Sequence, residues 1–190
     1  MTTTGDYALY LLRTATANDT NPYASLLSGL TTPYTSYSFP TDDNGRAVLP
    51  TMDTLEQASD PKSKLAIAGQ LADVIKIQAD AATRTGLPNR VADMTALSKE
   101  VLTAVEDIVD GVRTTDGSVA PGDADPALEP YQTAISRVLG TLHATLTEVS
   151  ALLPKADKTV AAQTDKEIGR IDLAAWGLAN LAGLEWESLP

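Results

Sequence analysis

His143 is the only histidine in the chain, and there is no cysteine. Thiol catalysis, disulfides, iron–sulfur clusters and cysteine-based zinc sites are therefore excluded. A histidine acting as general base needs a positioned partner. Its helical neighbours are Gly140 three residues earlier and Thr147 four residues later, and neither qualifies. His143 directly follows Leu142, a residue on an apolar seam, so its ring is expected at the flank of a helix. No Glu-x-x-His motif exists for a ferritin-like carboxylate site, and the zinc-protease histidine pair is absent.

The acidic turns do not form a calcium loop. If Gly45 is aligned with the EF-hand glycine, Pro40 falls at the first ligand and Thr51 at the bidentate glutamate. Aligning Gly117 puts Val112 first. Asp123 and Asp125 read as parts of a solvated turn. Walker, Gly-x-Gly-x-x-Gly and Gly-x-Ser-x-Gly loops are all missing. Tyr34, Tyr37 and Phe39 could stack a base or sugar, but prolines flank them and positive charge is scarce. A packed or partner-contacting arm is the better reading. An enzyme would have to rely on carboxylates, and no inward-facing pair stands on the seams. No catalytic residue, cofactor or metal is expected.

The elements that would carry these residues are helical. Leu128, Tyr131, Ile135, Val138, Leu142, Val149 and Leu152 recur at spacings of three and four, with Thr145–Leu146 filling one ambiguous step. Met94, Leu97, Val101, Val105, Ile108 and Val112 repeat the pattern upstream. Two such seams predict an antiparallel helical hairpin. Asp60-Pro61 opens an earlier helix with Leu65, Ala68, Leu71, Ala72, Ile75 and Ala79 on one face. Gly86-Leu87-Pro88-Asn89 closes it and supplies the next cap. Pro126 is expected to open the second seam helix, with Pro130 in its first turn. Pro154 ends that helix and Asp157 caps the last one. The fold class is all-α, a helical bundle of residues 56–190, with a polar, mobile linker at 113–125 that buries nothing.

Residues 1–55 form an irregular arm rich in Tyr, Thr and Pro. It holds five of the six tyrosines and the only phenylalanine. The run 34–39, followed by Asp43-Asn44-Gly45, fits either a small β-hairpin or an extended arm. At the other end, Leu173, Trp176, Leu178, Leu181, Leu184 and Trp186 occupy every side of a helix. That arrangement predicts association or docking. Together with Tyr34, Tyr37 and Phe39 they are the expected partner-binding residues.

Composition supports this frame. Hydrophobic residues make up 43% of the chain and aromatics only 5%, which suits close-packed helices. Fourteen basic residues are scattered among twenty-five acids, for a net charge of −11. That balance disfavours nucleic acid and anionic membranes. No apolar run is long enough to span a bilayer, and no secretory signal is visible. Cytoplasmic residence is the default expectation, with export without a cleavable signal peptide as the alternative. The Cys-free, Ala/Thr/Leu-rich composition resembles that of flagellin-like and other bacterial assembly subunits, although the paired terminal heptads of flagellins are missing at the N-terminus. The resemblance implies a non-enzymatic structural or interaction protein, a homo-oligomer or a subunit docking on another helical protein. An acidic helical chaperone that binds a partner helix is the alternative, and a carboxylate enzyme the least favoured.

Overall fold

A computed structural model describes residues 50–88 and 90–189. The arm expected at 1–55, including Tyr34, Tyr37, Phe39 and any β-hairpin, lies outside the described residues up to position 49. Among the described residues there are α-helices and 3-10 turns and no strand. The all-α bundle expected from periodicity is what the described residues form.

Local chemistry sets the helix ends. A reciprocal Thr51–Thr54 capping box opens α1, Met52–Gln57. Asp60 caps α2, Pro61–Thr85, by accepting from the Ser63 amide at 2.9 Å. Gly86, at φ +64°, ends α2, and the Leu87 amide donates back to the Ala82 carbonyl. α3 spans Val91–Val112. The cap expected at Asn89 falls on an undescribed residue, and Arg90 holds the N-cap position at φ +85° without a side-chain cap bond.

The second seam begins later than its periodicity suggests. Pro126–Tyr131 winds as a 3-10 turn, and α4 runs from Gln132 to Leu152. Pro130 lacks an amide, and its ring crowds the preceding turn, so α-helical bonding starts only beyond it. After a 3-10 turn at Leu153–Lys155, Asp157 caps α5, Lys158–Leu181, through the amides of Thr159 and Val160.

Four long helices pack as a square. α2 neighbours α3 and α4, and α5 neighbours the same two, while α2 and α5 occupy opposite corners. Cross-links fix the directions. Asp73 pairs with Arg137 and Lys76 with Glu148, so α2 and α4 run parallel. Lys99 meets Glu167 at 2.5 Å between α3 and α5. The two seam helices, α3 and α4, face each other antiparallel across the middle. Val105, Ile135, Val138, Leu142 and Val149 are wholly buried there. Both residues of the ambiguous step, Thr145 and Leu146, are buried as well. The Thr145 hydroxyl donates to the Thr141 carbonyl at 2.7 Å, which satisfies it inside its own helix.

The stretch 113–125 departs from expectation at its end. Asp125 is buried. Its carboxylate accepts from the Thr114 amide at 2.6 Å and from the Thr114 hydroxyl and the Ala127 amide, each at 2.9 Å. Its own amide donates to the Leu181 carbonyl at 2.8 Å. The loop is therefore cinched at its base and tied to the end of α5. One aspartate with enough donors is buried at little cost, which composition averaged over the linker conceals.

Candidate functional site

α5 is the element on which the sequence placed its interaction residues, and the structure divides them. Ile171, Ala175, Leu178 and Ala179 turn into the core and are buried. Leu181 and Leu184 are half-buried against it. Leu173 and Trp176 point outward, 69% and 52% exposed. A helix apolar on every side was expected to be covered on every side. Among the described residues α5 is covered on one side only.

Trp186 takes the opposite course. α5 ends in a Schellman motif, with the Gly183 amide bonding to the Asn180 carbonyl at 3.0 Å and the Leu184 amide to the Ala179 carbonyl at 2.8 Å. Gly183, at φ +69°, reverses the chain. The Gln132 side-chain amide donates to the Ala182 carbonyl at 2.8 Å. This turn folds the C-terminus back over the bundle, where Trp186 is buried edge-on to His143 with ring centroids 4.7 Å apart. Trp186 and Leu178 are thus internal packing residues. The lone histidine meets an aromatic ring, with Asp172 of α5 close enough to feel its charge. Burial pushes the Asp172 carboxyl above its ordinary pKa, and His143 pulls it partly back.

The outward face of α5 has a definite make-up. At 100° per residue, Ala162, Lys166, Gly169, Arg170, Leu173, Trp176 and Gly177 share it. Lys166 and Arg170 are exposed cations in an otherwise acidic molecule. Gly169 and Gly177 stand one turn either side of Leu173, and a Cβ at either would meet nothing within 4 Å. Each glycine costs a helix about 1 kcal/mol relative to alanine, and neither is required by a contact within the described chain. Beside Trp176 lies a cleft of about 430 Å³ lined by Asn180, Glu185, Trp186 and Ser188.

Known protein families, curated proteins and solved structures offer no match to this chain. The site must be read from its own geometry.

Sequence reasoning missed a second polar region, the groove between α2 and α4. Asp73, Lys76, Thr133, Ser136, Arg137, Gly140, Thr141 and Ala144 line it. Burial pushes the Asp73 carboxyl above its usual pKa despite the Arg137 guanidinium 2.6 Å away. Lys76 is held above its ordinary value because its bonds to Asp80 and Glu148 outweigh the effect of burial. Burial in turn raises Glu148. These carboxylates are consumed by internal cations. Among the described residues no three histidine or carboxylate side chains gather as a metal site would, and no helix is long and apolar enough to cross a membrane.

Proposed function

We propose that this protein is a non-enzymatic helical interaction subunit that associates with further copies of itself through the outward face of α5. The observation carrying this reading is the exposure of Leu173 and Trp176 side by side. Burying each would contribute about 1.5–3 kcal/mol. Exposed tryptophans flanked by aliphatic residues commonly dominate interface energetics. The glycines at 169 and 177 let another backbone approach closely around Leu173. Lys166 and Arg170 make this the least acidic face of α5, so copies of charge −11 repel least when they meet here.

The two tryptophans supply the test. In a Trp186→Phe variant, which keeps an aromatic ring against His143, Trp176 is the sole tryptophan. Quenching of its fluorescence by acrylamide should fall as protein concentration rises, because association covers the ring. Quenching that stays constant across the concentration range would remove the main support for the proposal.

A further inference from the structure

The outward face of α5 repeats every seven residues. Lys166, Leu173 and Asn180 are seven apart and form its midline, each only about 20° round the helix from the last. Gly169 and Trp176 make a second such pair along one flank, and Arg170 and Gly177 a third along the other. Each flank carries one large and one small residue, in opposite order. Lys166, Gly169, Arg170, Leu173, Trp176 and Gly177 are all exposed, and Asn180 is half-buried. Charge divides along the same face. Lys166 and Arg170 precede Leu173, with Asp165 at the margin, and Arg170 also reaches Glu167 at 2.9 Å. Beyond Leu173 come the C-terminal end of α5 and the exposed Glu185, which lines the cleft beside Trp176 together with Asn180.

We propose that two copies pack α5 against α5 antiparallel, about a two-fold axis at Leu173, as a closed dimer. This rests on the self-association read from Leu173 and Trp176 above. An antiparallel two-fold keeps each flank on its own side and reverses it end to end. A residue after Leu173 therefore meets the residue of the same flank that lies about equally far before Leu173 in the other copy. Leu173 meets Leu173. Trp176, about 4.5 Å past the axis, meets Gly169 of the second copy, about 6 Å before it. Arg170 meets Gly177 of the second copy in the same way, so each large side chain lies over bare backbone. Size alone also admits a parallel pairing, with Trp176 over Gly177, and charge decides between the two. In the antiparallel pair Lys166 comes to Asn180 and Glu185 of the other copy, where a carboxylate and the negative pole of the helix await it. A parallel pair sets Lys166 beside Lys166 and aligns the helix dipoles, and both effects repel.

The chain contains no cysteine, so introduced cysteines report the register through disulfides. Lys166→Cys and Asn180→Cys are made separately in the full chain, then oxidised alone and as an equimolar mixture. In the antiparallel pair, position 166 lies near 180 of the other copy, whereas 166 and 166 stand about 21 Å apart along the axis. A disulfide needs Cα atoms within about 7 Å, so the mixture should give about tenfold more covalent dimer than either variant alone. Arg170→Cys with Gly177→Cys, both at exposed positions, is a second pair that should behave alike. Gly169→Leu adds bulk where a Cβ meets nothing within 4 Å of the described chain. It should weaken the dimer about tenfold, because leucine fills the seat of Trp176, whereas a face that is merely apolar would associate more tightly. Covalent dimers formed as readily by the single variants, or tighter association of Gly169→Leu, would overturn the proposal. So would mixtures that form no disulfide while light scattering still shows a dimer, and in that case self-association itself stands. A wild-type chain that scatters as a monomer would remove both readings.

Discussion

Leu142 and Asp125 show two ways a single residue holds this fold. Leu142 lies wholly buried between the seams, and its replacement by alanine should lower unfolding free energy by about 2–5 kcal/mol. Urea denaturation measures this directly, and an unchanged midpoint would mean the seam is not the core. Asp125 works through hydrogen bonds. Burial tends to raise its pKa, but the amides of Ala127 and Thr114 and the Thr114 hydroxyl outweigh that and hold it below the usual value. The seam residues were legible because a repeat of three and four advertises itself. Asp125 was not, since its donor Thr114 lies eleven residues away in a stretch without periodicity. The Asp73–Arg137 and Lys76–Glu148 pairs stayed hidden for a stronger reason: separations of 64 and 72 residues leave no local signal.

The helices themselves were largely legible, and the connections were not. Asp60 and Asp157 cap where their positions implied, and Gly86 ends α2 as a glycine in the left-handed region does. Pro130 delayed the start of α4, because the 3-10 turn it favours reads in sequence like the first turn of a helix. The connection 113–125 is the element whose behaviour the structure most changes. With its base clamped at Thr114 and Asp125, it should resist trypsin at Arg113 better than a free loop of its composition. Asp125→Ala removes the clamp together with the cap on the Pro126 turn. Limited proteolysis of the variant should cut at Arg113 faster than in the wild type while α3 and α4 stay associated. Equal rates would show that the carboxylate does not restrain the loop. For α5, periodicity marked the apolar residues but could not say which of them the chain covers by itself. The Schellman reversal at Gly183 decided that, taking Trp186 inside and leaving Trp176 out.

Acidity governs the molecule as a whole. Asp73, Glu106, Glu148 and Asp172 have carboxyl pKa values raised in the fold, chiefly by burial. The folded state thus binds their protons more readily than the unfolded chain, so stability should increase as pH falls from neutral toward about 4.5. The relief of self-repulsion at charge −11 acts in the same direction. Asp60, Asp116, Asp125 and Glu167 have lowered values, held down chiefly by hydrogen bonds. The charges of Lys62 beside Asp60, Arg113 beside Asp125, and Lys99 and Arg170 beside Glu167 add to them. Their contribution is complete above about pH 4–5 and is lost as pH falls through the lowered values. Thermal midpoints should therefore peak between about pH 4.5 and 6, and a steady fall from pH 7 to 5 would contradict this balance. Association belongs to the same balance, because partial neutralisation favours contact between copies. If the Leu173–Trp176 face joins those copies, light scattering of the full chain over a micromolar concentration series will show it most directly. We expect a dimer or larger species that Trp176→Asp shifts toward monomer with far-UV helicity unchanged. A wild-type protein that stays monomeric throughout, or a Trp176→Asp variant that loses its helices, would contradict the proposed role of this face.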